Sequence, residues 1–158
     1  MQGIDPKHLR TYVIRPALEA IGLQSEAAEE LLLGTALQES LGGVFLHQGN
    51  NGPAVGIFQM EPRTHDDLWA NYLAYRPLLL AKMQSLLMPG MTKQDQLAGN
   101  LFYAAAMARV LYLRAPDPLP QAGDIAAQAA FYKRWYNSPG GAATTDAYLA
   151  KWNAIKAA

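Results

Sequence analysis

Apolar residues recur at helical spacing near the start of the chain. Leu9, Val13, Ala17 and Ile21 are four residues apart and fall on one face of a helix. Pro16 interrupts this run, and a proline inside a helix removes a hydrogen bond and kinks or restarts the helix. The pattern therefore predicts a first helix that is kinked or restarted near Pro16 and packs by its apolar face.

A second helical pattern follows and ends in an acid. Ser25 is predicted to be its N-cap, and Leu32, Ala36 and Glu39 lie at i, i+4 and i+7 on one face. A carboxylate near a helix C-terminus is disfavoured, because the helix dipole is negative there. Positions that break such local rules are often functional. We therefore expect Glu39 to be a half-buried carboxylate in a functional site.

The next segment, residues 40–62, lacks helical periodicity. Glycines stand at positions 42, 43, 49, 52 and 56, with Asn50 and Asn51 among them. Because Gly and Asn tolerate turn conformations, this composition predicts a Gly-rich loop or small hairpin near residues 41–61. The apolar run over residues 55–60 is expected to form one short strand.

Capping patterns predict the helices of the second half. Thr64 with Asp67, and Thr92 with Asp95, have capping-box spacing, and the second pair precedes the longest predicted helix, which runs to about residue 114. Asp124 is predicted to cap a further helix, and a last helix begins at residue 144 or 145. The expected fold class is mainly α, with residues 1–158 forming a single domain.

Composition narrows the function classes. The 158 residues are 51% hydrophobic and 16% charged, and 13 basic residues balance 13 acidic ones. Because no net positive charge attracts phosphate, nucleic-acid binding is disfavoured. Cysteine is absent, which excludes thiolate metal sites and cysteine nucleophiles. No apolar run approaches eighteen residues, so we expect no membrane span, and the N-terminal sequence lacks the apolar core of a secretory signal.

A lone acid occurs together with amide and aromatic side chains. Glu39 is an acid, Gln59 and Asn137 carry amides, Tyr136 carries a hydroxyl and Trp135 offers a flat surface. An acid can protonate a glycosidic oxygen while amides and hydroxyls orient the sugar. These residue types point to carbohydrate cleavage, although Trp135 at helical spacing is expected to be structural.

Three ordered motifs carry a family resemblance. They are the Glu39-Ser40 pair at the end of a helix, the segment GIFQMEPRT over residues 56–64, and YNSPG over residues 136–140. They resemble the Glu-Ser, Gly-Leu-Met-Gln to Pro-x-Thr and Tyr-Asn-Ala-Gly motifs of the soluble lytic transglycosylase family, within the goose-type lysozyme-like superfamily. The short phage-encoded members are especially similar. The likeness covers roughly residues 26–140 and implies a lysozyme-like helical fold.

The resemblance implies a role for each matching residue. Glu39 would be the sole catalytic acid and base, cleaving peptidoglycan between N-acetylmuramic acid and N-acetylglucosamine without a cofactor or metal. Tyr136 would hydrogen-bond and orient Glu39, while Ser40, Gln59 and Asn137 would bind substrate. Burial would have to raise the pKa of Glu39, so that it is protonated near neutral pH.

A hydrolase remains an alternative. Glu61, Asp66 and Asp67 follow the Gly-rich segment and are candidates for a second carboxylate. A second carboxylate about 6.5–9.5 Å from Glu39 would activate water and give a lysozyme outcome. The same two aspartates beside His65 suggest a metal site only weakly, because first-turn acids of a helix are ordinary capping residues.

The other alternative is a catalytically silent phage structural or wall-binding protein that keeps the fold. In the enzyme interpretation, the partner is the bacterial glycan strand, and phage virion proteins are additional candidate partners. We expect a phage product that acts on the host periplasmic wall. It would be made in the host cytoplasm as an endolysin or carried in the virion.

Overall fold

The computed structural model describes residues 3–137 and 140–156, and it is mainly helical, as the sequence predicts. Two π-helical turns cover Arg10–Ile14 and Lys133–Asn137, and a 3₁₀ turn covers Leu73–Tyr75. The α-helices are α1 (Pro6–Leu9), α2 (Arg15–Ala20), α3 (Glu26–Ser40), α4 (Pro62–Asn71), α5 (Pro77–Ser85), α6 (Gln96–Gly99), α7 (Leu101–Leu113), α8 (Ile125–Tyr132) and α9 (Thr145–Lys156). None of the helices described is long and apolar enough to cross a bilayer.

The predicted interruption of the first helix near Pro16 is confirmed as a restart of the α-helix. The π turn Arg10–Ile14 separates α1 from α2, and Pro16 lies in the first turn of α2. Pro16 has no N–H to donate, and it follows a turn in which the Arg15 N–H donates to the Arg10 carbonyl, so the regular α-helical pattern is already interrupted there. The predicted caps of α3 and α8 are also confirmed, since Ser25 accepts from the Ala28 N–H at 3.1 Å and Asp124 accepts from the Ala127 N–H at 3.0 Å.

Helix α3 forms the centre of the fold. Most of its residues are buried on every side, as expected of a helix surrounded by others. Thr35 and Tyr112 share a buried hydroxyl–hydroxyl hydrogen bond of 2.7 Å, which ties α3 to α7. On another face, a Cβ at Gly34 would lie 1.9 Å from the Tyr148 hydroxyl, so only glycine lets α9 pack this closely. Helix α7 also contacts the second apolar cluster, which connects the two clusters into one core.

A buried ionic cluster fixes the N-terminal helices on α3. Glu29 is 1% exposed and accepts hydrogen bonds from Arg10 at 2.9 Å, from Arg15 at 2.8 and 3.0 Å, and from Gln24 at 2.7 Å. Burial alone would raise the pKa of Glu29, but the bonds from Arg15, Gln24 and Arg10 outweigh it and hold the pKa at about 2. The carboxylate therefore stays charged inside the protein.

The two predicted capping boxes have different outcomes. The box at Thr64 is wrong, because α4 begins at Pro62, a favoured residue for a first helical position, with Glu61 before it. The Thr92–Asp95 hydrogen bonds form, at 3.1 Å to the Asp95 N–H and 2.7 Å to its side chain. The predicted long helix is nevertheless broken at Asn100, whose side chain caps α7 by accepting from the Tyr103 N–H at 3.1 Å.

The predicted loop over residues 41–61 is confirmed, but the predicted strand over residues 55–60 is wrong. Within the described residues, only isolated antiparallel bridges form, from His47 to Val55 and from Val55 to Met60. The chain turns instead at Gly56, where φ is 84° and a Cβ would lie 1.8 Å from the Leu97 carbonyl oxygen. This close approach holds the loop against α6.

The Glu29 cluster predicts a specific loss of stability in acid. Its folded pKa of about 2 lies below the ordinary 4.5, so its contribution to stability is complete above pH 4.5 and disappears as the pH falls through 2. A shift of this size corresponds to about 3 kcal/mol. Urea unfolding between pH 7 and 2 should show this loss in the wild type and in Glu26→Gln, an exposed acid in the same helix. A Glu29→Gln curve parallel to that of the wild type would contradict the assignment.

Candidate active site

A cleft of about 330 Å³ opens beside the C-terminal end of α3. Its walls come from the end of α3, the loop before α4, the start of α4, the end of α7 and the π turn after α8. Among the polar residues that line it are Glu39, Gln59, Glu61, Arg114, Tyr136 and Asn137. The structure thus gathers acids, amides and aromatic groups that are far apart in sequence.

Glu39 is a half-buried carboxylate at the last turn of α3, as predicted. The helix ends immediately after it, because Leu41 takes a left-handed conformation with φ 54° and bonds back to the helix carbonyls. Since α3 is packed on all sides, its end cannot move independently of the core. The acid is therefore held rigidly at the wall of the cleft.

The hydroxyl that bonds Glu39 belongs to Tyr132, not to Tyr136. Tyr132 donates to the Glu39 carboxyl at 2.5 Å, whereas Tyr136 donates to the Phe58 carbonyl at 2.7 Å. The prediction for Tyr136 is wrong because the chain between the two tyrosines widens into the π turn Lys133–Asn137, which changes the angular relation between their side chains. Tyr136 instead anchors the loop to the cleft wall, while its ring stacks on Tyr132 with the centroids 6.0 Å apart.

Burial raises the pKa of Glu39 above its ordinary value, in the direction predicted. Two groups oppose this shift by stabilising the carboxylate, namely the Tyr132 hydroxyl and the Lys151 ammonium. Lys151 is held in place by donating to the Gln38 carbonyl at 3.1 Å and to the Gln38 side chain at 3.0 Å. The environment thus favours a neutral acid with a fixed orientation.

Ser40 does not line the cleft, contrary to the prediction that it binds substrate. It is fully buried, donates to the Ile57 carbonyl at 2.7 Å and accepts from the Gly43 N–H at 2.8 Å. A side chain with both of these partners inside the protein cannot reach a ligand. Ser40 instead connects the end of α3 to both ends of the Gly-rich loop.

The two predicted amide residues do line the cleft. Gln59 has φ 47°, a conformation rare outside glycine, and its side chain donates to the Gly56 carbonyl at 2.8 Å. Asn137 accepts from Lys133 at 3.0 Å through its side-chain oxygen. Both side chains are therefore preoriented by contacts within their own turns. Residues 138–139, where the sequence departs from the family motif, lie outside the described residues.

Of the three candidate second carboxylates, only Glu61 lines the cleft. Asp66 bonds His65 at 2.9 Å, and Asp67 pairs with Arg114, and neither aspartate lines the cleft. Glu61 is exposed at the start of α4. Any second acid that acts with Glu39 is therefore Glu61.

A metal site finds no support in the residues described. His65 is buried with both ring nitrogens engaged, by Asp66 at 2.9 Å and by the Tyr103 hydroxyl at 2.6 Å. Burial is the main cause that lowers the pKa of His65, which favours the neutral ring. Over residues 3–137 and 140–156, no three His, Asp or Glu side chains are grouped as metal ligands would be.

Sequence reasoning missed three functional candidates. Tyr132 lies four residues before Tyr136 in a helical pattern, so the spacing allowed either tyrosine to face Glu39. Trp135 was expected to be structural but lines the cleft, with its ring nitrogen buried and unbonded to any described residue. Arg114 follows α7 and belongs to no motif, so nothing in the sequence signalled its position in the cleft.

No family model, no curated protein and no solved structure matches this chain. The function of the cleft must therefore be argued from its own geometry and from the three ordered motifs.

Removing the Tyr132 hydroxyl should raise the pKa of Glu39 further, because a hydrogen bond to the charged form lowers an acid's pKa. The Glu39 carboxyl carbon can be followed by ¹³C NMR in a pH titration of Tyr132→Phe. Tyr136→Phe is the matched control, since its hydroxyl bonds Phe58 and should leave the Glu39 pKa unchanged. The reverse result would restore Tyr136 as the partner of Glu39.

Loss of the Ser40 hydroxyl should destabilise the protein by about 1–3 kcal/mol, because the buried Ile57 carbonyl loses its partner and the Gly43 N–H is left with its longer bond, 3.2 Å, to the Ser40 carbonyl. Ser85→Ala removes an exposed hydroxyl whose one bond within the described residues is to the Lys82 carbonyl, and it should cost less than about 0.5 kcal/mol. Chemical unfolding of both variants measures the difference. Equal costs would show that the Ser40 contacts contribute little to stability.

Proposed function

We propose that this protein cleaves the β-1,4 bond between N-acetylmuramic acid and N-acetylglucosamine in peptidoglycan, as a lytic transglycosylase. The observation that carries the proposal is the state of Glu39. It is a half-buried carboxyl with a raised pKa, bonded by Tyr132, on the wall of an open cleft that also presents two amides. Such a group is suited to give and then take back one proton.

In the first step, Glu39 acts as the general acid. Its proton passes to the glycosidic oxygen, the bond from that oxygen to C1 of the muramic sugar breaks, and N-acetylglucosamine leaves with a free hydroxyl. The acetamido oxygen of the muramic sugar bonds to C1 and accommodates the positive charge. No protein nucleophile is needed, because the acetamido group of the substrate supplies the attacking oxygen.

In the second step, Glu39 acts as the general base. Its carboxylate takes the proton from the muramic 6-hydroxyl, the 6-oxygen attacks C1 and the acetamido oxygen departs. The product is a 1,6-anhydro ring, and Glu39 is again protonated. The hydrogen bond from Tyr132 and the charge of Lys151 stabilise the carboxylate between the two steps.

The polar and aromatic side chains around Glu39 support the same reaction. Gln59 and Asn137 present preoriented amides that can hold sugar hydroxyl and acetamido groups, and Trp135 offers an aromatic surface. The cleft is open, whereas a protein that retained only the fold would need no such cavity. By the family resemblance, we also propose a phage product that acts on the host wall.

The position of Glu61 in the cleft supports one alternative reaction, hydrolysis of the same bond. It is exposed and lines the cleft that contains Glu39. If Glu61 activated a water molecule, that water would replace the 6-hydroxyl as the attacking group and give a reducing-end product. Glu61 is therefore the one residue whose removal separates the two reactions.

The test is mass spectrometry of purified peptidoglycan after digestion. The wild type should release anhydro-muropeptides, and Glu39→Gln should reduce their release by about 10²–10⁴-fold, because the amide cannot transfer the proton. Glu26→Gln, the same change at an exposed position of α3, should retain activity. Glu61→Gln should also retain it if no second acid takes part.

The products distinguish the alternatives. Reducing-end products that disappear in Glu61→Gln would establish the hydrolase. Intact sacculi with every variant, including the wild type, would contradict glycan cleavage and favour a silent wall-binding protein.

A further inference from the structure

The cleft walls carry more acidic than basic side chains. Glu39 and Glu61 contribute acidic groups, and Arg114 is the one basic side chain among the described residues that line the cleft. A neutral sugar polymer needs no cation for recognition. Arg114 already pairs with Asp67 through one nitrogen, and the free edge of its guanidinium gives the cleft cationic donors that suit a negatively charged group of a ligand.

Arg114 is held in place by two neighbouring elements. It caps the C-terminal end of α7, and its Nη1 atom donates to Asp67 on α4. Asp67 is itself fixed by Asn71, whose amide donates to the second carboxylate oxygen at 2.7 Å. The guanidinium is thus anchored at one nitrogen while about 40% of the side chain stays exposed.

The anchored guanidinium keeps donors for a ligand. Arginine has five N–H donors in a planar fork, and only Nη1 of Arg114 is bonded to a described residue. The remaining edge matches a carboxylate, which accepts two parallel hydrogen bonds. Holding one nitrogen on Asp67 lowers the entropic cost of this contact, because the long side chain is already ordered.

We propose that Arg114 binds a carboxylate carried by the substituent on the 3-oxygen of the muramic sugar. This inference rests on the proposed function and names the feature of the substrate that the cleft selects. The carboxylate belongs either to the lactyl group of a bare strand or to the peptide attached to that group. Glycans made only of N-acetylglucosamine carry neither, so Arg114 discriminates against them.

The physical basis is a difference between charged and neutral ligands. An arginine–carboxylate contact is stronger than an arginine–hydroxyl contact, because both partners are ionised. Without Arg114, the exposed Glu61 carboxylate would be the charged group of the cleft walls and would repel an anionic substituent. Arg114 therefore affects binding of muramyl ligands far more than binding of neutral ones.

The test is equilibrium binding on the Glu39→Gln background, in which ligands stay intact. Three tetrasaccharides are compared: one with peptides, one with bare lactyl groups and one made only of N-acetylglucosamine. Adding Arg114→Gln should weaken binding of a muramyl ligand by about tenfold and leave the neutral ligand within about twofold. The muramyl ligand that loses affinity identifies the source of the carboxylate.

Arg63→Gln is the matched control. Arg63 is an exposed cation on α4 that does not line the cleft, so its loss removes the same charge without removing a contact. It should leave all three affinities unchanged. Equal weakening of every ligand by Arg114→Gln, no weakening of any, or no binding at all would overturn the proposal.

The experiments distinguish an error in the role of Arg114 from an error in the proposed reaction. Binding is measured without turnover, whereas glycan cleavage is judged by the products of the wild type. Wild-type cleavage together with affinities that do not depend on Arg114 would remove this inference and leave the reaction standing.

Discussion

The burial of α3 is the constraint on which the rest of the structure depends. Every neighbouring element packs against a helix that has almost no exposed face, and the Glu29 cluster and the Thr35–Tyr112 bond fix it further. A helix held this way cannot adjust its last turn to solvate an acid. Glu39 is consequently desolvated by the same packing that stabilises the fold, and its raised pKa follows from the architecture and not from a neighbouring negative charge.

Two acids on this one helix show how partners decide the outcome of burial. Glu29 is surrounded by guanidinium groups and remains ionised, so its charge stabilises the folded state above acidic pH. Glu39 has one hydroxyl and a more distant ammonium, which do not compensate for lost water. Because its folded pKa is raised, ionisation of Glu39 at higher pH opposes folding. This cost is a familiar property of groups that are positioned for chemistry.

Local signals in the sequence predicted local features well. The caps at Ser25 and Asp124, the helix interruption before Pro16 and the Gly-rich loop depend on residues within a few positions of one another. The predictions that failed depend on a local irregularity of the backbone or on contacts between distant segments. Tyr132 and not Tyr136 bonds Glu39 because of the π turn that follows α8. The break between α6 and α7 at Asn100 coincides with hydrogen bonds from the Asn100 side chain to Leu86 and Gln96. The motifs identified Glu39, Gln59 and Asn137, which all line one cleft. Arg114 belongs to no motif and lies in the cleft because α4 packs against α7.

The contact between Gly34 and Tyr148 links a remote position to the acid. Any larger residue at 34 must displace the Tyr148 side chain or α9, which carries it, because the tyrosine hydroxyl already occupies the space of a β-carbon. The same helix carries Lys151, whose ammonium is one of the two groups that stabilise the Glu39 carboxylate. A substitution at position 34 that moves Lys151 would therefore change the pKa of Glu39. The residues that this position tolerates are limited by the chemistry of Glu39 as well as by packing.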